Sequence, residues 1–448
     1  MRSLGFSRPL LKALTTLALA ACGGSTVTDM PGPTTPVDTT KPPTTVQRAS
    51  ITARVSIDPL DASLAQQAGI GVSNLTVRLT SSRAGEPVRT ATTGADGAVQ
   101  FDALLEARYT VDVVRTLTAS EVQRLSPADR EASVFSGGAQ VVLSPPASRS
   151  IDVLLVGARR GSIVISEVFG NYGPTSTGTL NYVYGSYVEF YNNSDTTAYL
   201  DGLVFLSAMG WHRQSYAGSC SKSPWSARLD SAAVYAGSAV MAFPGSGRDF
   251  PIRAGEGKVM AMDAINHMVA APEKEQVDLS CAQFEQFWTD ADTDNPESAN
   301  MLRIHGTSGG VFGRGVPYFS AGQYVLLSAA ARAQIRSAIV PYTFSDGTSR
   351  PDEWARVPSE YILDLVAIEY SPLAPGYDVA QQTLPPCVPW TSPFYDRAPA
   401  PLQSTHERKS NARRSLGRTV DGREILQRTK NSARDLELAE PLRRSLNK

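Results

Sequence analysis

GSIVISEVFGNYGPTSTGTLNYVYGSYVEFYNNSDTTAYLDGLVFLSA, residues 161–208, decides the fold. Three runs rich in β-branched and aromatic side chains, Ile163 to Phe169, Tyr187 to Tyr191 and Leu200 to Leu206, are separated by Gly, Asn, Ser, Thr and Asp. Such runs fit a pleated, buried surface and the small polar residues fit turns, so the pattern predicts strands. Asn192-Asn193-Ser194-Asp195 is a turn whose short side chains bond their own backbone. Glu189 lies between Val188 and Phe190 and is expected on the opposite face of its strand, toward solvent.

Upstream, Ile51, Ala53, Val55 and Ile57 alternate with Thr52, Arg54 and Ser56, and Leu75, Val77 and Leu79 repeat the period of two. Gly94-Ala95-Asp96-Gly97 is a hairpin-type turn leading to Val99 and Phe101, then Tyr109, Val111 and Val113. Thr118 and Glu121 form a capping box for a short helix that Pro127 limits. Val141 to Leu143 and Ile151 to Val156 return as strands, which makes about seven in some hundred residues and predicts an antiparallel sandwich.

Farther upstream the chain reads as delivery. Met1 to Ala21 carries Arg2, Arg8 and Lys12, then an apolar run from Leu10 too short to span a bilayer, as in a signal peptide. Leu19-Ala20-Ala21-Cys22 has the small residues that a lipoprotein signal peptidase needs before the cysteine it acylates, so Cys22 is the expected lipidation site. Several acyl chains anchor firmly where one is marginal. Gly23 follows, with no Asp there to retain the protein at an inner membrane, so an outer membrane is expected. Residues 22–50 are Thr- and Pro-rich with few apolar side chains, a disordered tether. Removing residues 1–21 takes Lys plus Arg from 42 to 39 against 43 acids, a formal charge of −4 in place of −1. That balance gives no electrostatic reason to expect nucleic acid. With Cys22 acylated, Cys220, Cys281 and Cys387 remain; a Cys220–Cys281 disulfide is the expected pairing among three possible ones, with one odd thiol.

Downstream, Asp421-Gly422 is a hairpin turn between Arg418-Thr419-Val420 and Glu424-Ile425-Leu426. From Pro401 the chain holds twelve Lys or Arg against six acids, expected as solvated charges on a final strand pair. The main chemical candidate is the run from Asp290 to Glu297, where Asp290, Asp292, Asp294 and Glu297 could gather around one Ca²⁺, and His267, four residues after Asp263, could be a further ligand. The alternative is an exposed acidic turn ending a helix around Gln283 to Trp288. Gly306-Thr307-Ser308-Gly309-Gly310 fits a nucleophile string, but Val311 to Pro317 cannot supply the helix that a nucleophile elbow requires. Pro244-Gly245-Ser246-Gly247-Arg248 imitates a phosphate loop without the Lys-Ser/Thr that follows one. Tyr172, Tyr182, Tyr184, Trp211, Tyr216 and Trp225 fall in loop segments, where rings either stack on sugars or partners or plug the loops onto the sandwich.

TTGADGAVQFDALLEARYTVDV, residues 92–113, resembles the carboxypeptidase-regulatory or transthyretin-like modules of bacterial surface proteins. Ile163 to Val168, Tyr187 to Asp195 and Tyr199 to Leu203 resemble the opening strands of a lamin-tail-like sandwich. Together with Asp263 to His267, Asp278 to Ser280, Phe284-Glu285, Asp292 to Glu297, Pro358 to Asp364, Arg413-Arg414, Asp421 to Arg423 and Thr429 to Ser432 with Asp435, they are similar to an uncharacterised family of mainly gut-bacterial lipoproteins. The resemblance covers most of residues 161–437 and implies architecture and a lipoprotein life, because that family's activity is not established.

The expectation is therefore an all-β chain of two antiparallel sandwiches, at 51–158 and 159–440, on a lipid-anchored tether at an outer membrane. No catalytic set is assembled and no cofactor is required, so a binding or accessory role is expected, with an outer-membrane barrel or another envelope protein as partner. The competing expectation is a Ca²⁺-dependent hydrolase or glycan-binding protein with its site near 263–297.

Overall fold

Alternation builds the first sandwich. Strand β1 (Ala49–Ile57) buries Ile51, Ala53 and Val55 and turns Arg54 and Ser56 outward, and β2 (Thr76–Ser81) buries Val77 and Leu79. With β3 (Arg89–Thr92), β4 (Ala98–Leu104), β5 (Ala107–Thr116), β6 (Val134–Leu143) and β7 (Arg149–Ala158) they form one folded sheet in the order β3-β2-β5-β6-β7-β1-β4. All these pairings are antiparallel except β1 with β7, which is parallel. Helix α2 (Ala119–Arg124) has the full capping box between Thr118 and Glu121 and stops before Pro127. Helix α1 (Ala62–Ala68), which no sequence signal announced, lines the same core through Ala65 and Ala68.

The computed structural model describes residues 46–126, 130, 132–158, 161, 163–170, 184–208, 233–236, 240–270, 276–287, 294–305, 322–343, 349–370, 400–402, 409–442 and 444. Gln47–Lys448 is one compact unit. Cys22, the signal segment and nearly all of the tether lie outside the described residues. Among those described, no helix is long and apolar enough to cross a membrane.

The stretch from Gly161 supplies the centre of the second sandwich. Strands β8 (Ile163–Phe169) and β9 (Tyr187–Asn192) are buried at every position. The run Leu200 to Leu206 is not one strand: β10 (Ala198–Tyr199) and β11 (Val204–Ala208) flank a turn at Asp201-Gly202, where Gly202 takes φ +69°. There follow β12 (Ala233–Ala236), β13 (Val240–Ala242), β14 (Pro251–Ile252), β15 (Gly257–Ala261), α3 (His267–Ala270), β16 (Phe284–Glu285), β17 (Ala299–Asn300), β18 (Leu302–His305), β19 (Gly322–Leu327), β20 (Arg336–Thr343), β21 (Ser349–Pro358) and β22 (Ile362–Tyr370). The last elements are β23 (Ala400–Leu402), β24 (Ser410–Arg413), β25 (Ser415–Arg418), β26 (Glu424–Leu426), α4 (Ser432–Asp435) and β27 (Leu436–Ala439).

A seven-stranded sheet, β17-β16-β15-β9-β8-β24-β27, packs on a six-stranded one, β18-β13-β11-β19-β22-β23. Phe190 lies edge-on to Phe205 and Phe243 between them, with ring centres 5.4 and 5.1 Å apart. A third sheet, β12-β21-β20, covers the other face of the six-stranded sheet through Val234, Ala236, Ala355 and Val357. The domain thus has three sheet layers where two were expected.

Two expectations fail for one physical reason. Glu189 is fully buried rather than solvent-facing, and Arg413, Arg428 and Arg444 of the basic tail are buried rather than solvated. The outer face of β8 and β9 carries Val164, Tyr187, Glu189 and Tyr191, and it is roofed by Leu426, Leu442, Ala264, Val277, Leu279 and Ala282. A strand covered on both faces leaves no side chain for water. A bulge between Ile165 and Glu167 shifts the register of β8 against β9.

Candidate functional site

The sequence pointed to residues 263–297, and the structure draws much of that segment into one loop cluster at the edge of the seven-stranded sheet. The expected helix at Gln283 to Trp288 is absent from its first part: Phe284–Glu285 is strand β16, parallel to both β15 and β17. Burying the aromatic ring of Phe284 against Phe243, 4.9 Å between ring centres, outweighs any local helical preference. That strand seats Glu285 inside the cluster. Its carboxylate accepts from the Asn295 N–H at 2.9 Å and the Ala264 N–H at 3.1 Å, tying three segments together. Asn295 returns two bonds through Nδ2, to the Ala264 and Ser280 carbonyls.

Asp278 is used the same way. One carboxylate oxygen accepts from the Ser280 N–H and hydroxyl, at 3.0 and 2.7 Å, and the other from Asn266 Nδ2 at 2.8 Å. Asn266 Oδ1 in turn accepts from the N–H groups of Met268 and Val269. His267 is buried and donates from Nε2 to the Asp263 carbonyl at 2.8 Å. Burial pushes its pKa down, opposed by that bond and by Asp278. Gly185 closes the cluster, because a Cβ there would lie 1.9 Å from Gln276 Oε1 and 3.5 Å from His267 Cγ. Around this packed seat Tyr184, Met268 and Val269 stand 40, 46 and 77 % exposed.

The proposed cation ligands are only partly in view. Asp290 and Asp292 lie outside the described residues. Asp294 is exposed and accepts from Asn300 Nδ2 at 2.9 Å, and Glu297 is exposed. Among the described residues no three His, Cys, Asp or Glu side chains gather as a metal would require. Cys281 is exposed, whereas Cys220, and with it the expected disulfide, lies outside the described residues, as do Cys387 and the string from Gly306 to Gly310. Of the loop aromatics only Tyr184 is described.

The phosphate-loop imitation has an internal occupant. The N–H groups of Gly247, Asp249 and Phe250 converge at 3.0, 2.8 and 2.9 Å on the carboxylate of Asp201, which fills the cradle an anion would take. Desolvation is the largest single influence and pushes its pKa up, but the backbone bonds together outweigh it and hold the pKa below the ordinary value.

Sequence reasoning missed the ionic network that fixes the basic tail. Arg413 on β24 donates from Nη2 to Asp364 at 2.8 Å, from Nη1 to Asp435 at 3.1 Å and the Gln427 carbonyl at 2.9 Å, and from Nε to the Ile165 carbonyl at 2.8 Å. Arg428 donates from Nε to the other oxygen of Asp364 at 2.8 Å. Arg444 bonds Glu424 and the Arg413 carbonyl, each at 2.6 Å. Glu167 accepts from the Tyr187 hydroxyl at 2.5 Å and the Leu442 N–H at 2.9 Å. Asp364, Arg413 and Asp435, all in the motifs quoted for the family resemblance, meet in this network, which gives these three residues a structural role.

Residues 253–442 match the model of DUF4876, a protein family of unknown function. The DUF4876 span takes in residues 263–297 and Asp364, Arg413, Arg428 and Asp435 but not β8, β9 or Arg444, so it is shorter than the resemblance implied. Among solved structures the chain is similar to a DUF4876 family protein from Bacteroides thetaiotaomicron, 18 % identical, with 87 % of this chain and 94 % of that one covered and a TM-score of 0.47. It is also similar to a DUF3823 family protein from Parabacteroides merdae, 10 % identical over 36 % of this chain and 67 % of that one, TM-score 0.17. The streptococcal ancillary pilin is 11 % identical over 33 % of this chain and 54 % of that one, TM-score 0.16. Nothing among curated proteins matches the chain.

Proposed function

We propose that this protein is a lipid-anchored cell-envelope lipoprotein with a non-catalytic binding or accessory role, serving an exported partner such as an outer-membrane transport barrel. The observation that carries this reading is how the loop cluster spends its polar groups. Glu285 and Asp278 are committed to backbone N–H groups and neighbouring side chains, and His267 to a carbonyl. A seat held by its own acids is preorganised to display Tyr184, Met268 and Val269, and side chains fixed before binding lose less entropy on contact. The anchor rests on the small residues before Cys22 and the Thr- and Pro-rich tether.

Photocrosslinking in cells, with the reactive group at Val269, tests the role; an envelope protein captured by the full chain and lost with Met268→Asp is expected. Recovery of no envelope protein would sink it. Incorporation of labelled palmitate into the wild type and its loss in Cys22→Ser tests the anchor separately. Melting with Ca²⁺ and with chelator is expected to give the same midpoint, and a shift would move the reading to the Ca²⁺-dependent alternative.

A further inference from the structure

Hairpin β25–β26 belongs in sequence to the second sandwich but stands between the two. Strand β26 is fastened to the second: Asn193 exchanges two bonds with Leu426, at 2.9 and 3.0 Å, and Tyr191 donates to the Glu424 carbonyl at 2.8 Å. Strand β25 is fastened to the first. The Ser136 hydroxyl reaches the Leu416 carbonyl at 2.8 Å, Arg78 donates to the Thr419 carbonyl at 2.7 Å, and Leu416 and Ile425 bury themselves with Val134, Val156 and Ala158. Into this contact β5 projects Asp112, 3 % exposed. One of its oxygens sits so close to two backbones that a Cβ at Gly138 or at Gly417 would lie 3.1 Å from it. The other, Oδ2, is buried with no hydrogen-bond partner among the described residues.

We propose that the hairpin is a proton-sensitive clasp: it grips the first sandwich most tightly when Asp112 is neutral and slackens as Asp112 ionises. A carboxylate in such a seat is short of donors. The charged groups facing it are Arg78 from β2, Arg418 from β25 and Glu424 from β26. Arg78 and Arg418 each give a short bond to a carbonyl instead, of Thr419 and Gly422, and Glu424 opposes the charge. Desolvation prevails over both arginines and the Arg418 N–H, and lifts the carboxyl to about 6. In the undocked state water restores the ordinary value, so closure takes up a proton. Docking is therefore strongest below the open-state value and weakens as pH rises toward the closed-state one, above which it is level.

Amide exchange on the full chain, corrected for the intrinsic pH dependence, reads this directly in peptides covering 415–426. A hairpin released from its platform is marginal by itself and exchanges. Protection is expected to fall by up to about a hundredfold between pH 4 and pH 6 and then to stay level, since the carboxyl moves from 3.8 to about 6 on docking. Asp112→Asn should hold the low-pH protection throughout, and Arg78→Gln should carry the fall to higher pH. A level wild-type profile would overturn the proposal. So would an Asp112→Asn profile that still falls, or, if that variant does not fold, an Arg78→Gln profile whose midpoint stays in place.

Discussion

Arg413 occupies a position where removing it costs more than its own bonds. Its side chain is 1 % exposed and faces two carboxylates that are 2 % exposed, so truncation strips Asp435 of its cation and leaves Asp364 with Arg428 alone in a low-dielectric core. Arg413→Ala should destabilise by about 3–5 kcal/mol in chemical denaturation, and Arg413→Lys should restore only part, because an ammonium cannot span Asp364, Asp435 and two carbonyls at once. A loss near 1 kcal/mol would show that water reaches the network. His267 has the opposite pH sense to Asp112. Its pKa is pushed down by burial, so its contribution is present above the unfolded value near 6.5 and is lost as pH falls through it toward the folded one. Exchange protection in 263–270 should drop below about pH 6.5 in the wild type and stay level in His267→Gln, whose amide can keep the bond to Asp263. The residues of both features are plain in the sequence, but their roles are not. Asp364 and Asp435 lie 49 and 22 positions from Arg413, so charge counting along the chain reads each as a surface group.

Elements were more legible than sites, because a strand's period is a local property and a roof over it is not. Ile51 to Ile57 alternates as expected, the Thr118 capping box forms, and Asp421-Gly422 turns a hairpin. Glu189 was misread since alternation assigns one wet face to a strand that has none, and Phe284–Glu285 was misread since a two-residue strand has no period at all. Gly97 tests how far local chemistry controls the first sandwich. It takes φ +75° in the turn before β4, and a Cβ there would lie 2.4 Å from the Val55 carbonyl. Gly97→Ala should therefore cost at least 1–3 kcal/mol, combining left-handed strain with a clash against backbone that cannot move aside. An unchanged melting temperature would mean that β1 and β4 can separate there without loss.

At the scale of the whole molecule the question is whether the sandwiches unfold as one. Besides the hairpin, Arg434 of α4 reaches back to Asp58 and Asp61 at 2.7 and 2.6 Å, and Asp61 also accepts from the Gly157 N–H. The C-terminal segment thus supplies β24 to the second sandwich, neutralises its buried acids and grips the first, all within residues 409–444. Such coupling predicts a single calorimetric transition for the wild type at neutral pH. Gly417→Val attacks the grip alone. The residue takes φ +126°, and a Cβ would meet Asp112 Oδ1 at 3.1 Å and the Gly137 carbonyl at 3.3 Å, so a branched side chain has to lift β25 away from β6. The core between the six- and seven-stranded sheets is untouched by that change. The variant should therefore melt in two steps, the earlier one carried by the first sandwich, and two transitions in the wild type would show that the contact between the sandwiches does not couple their stabilities.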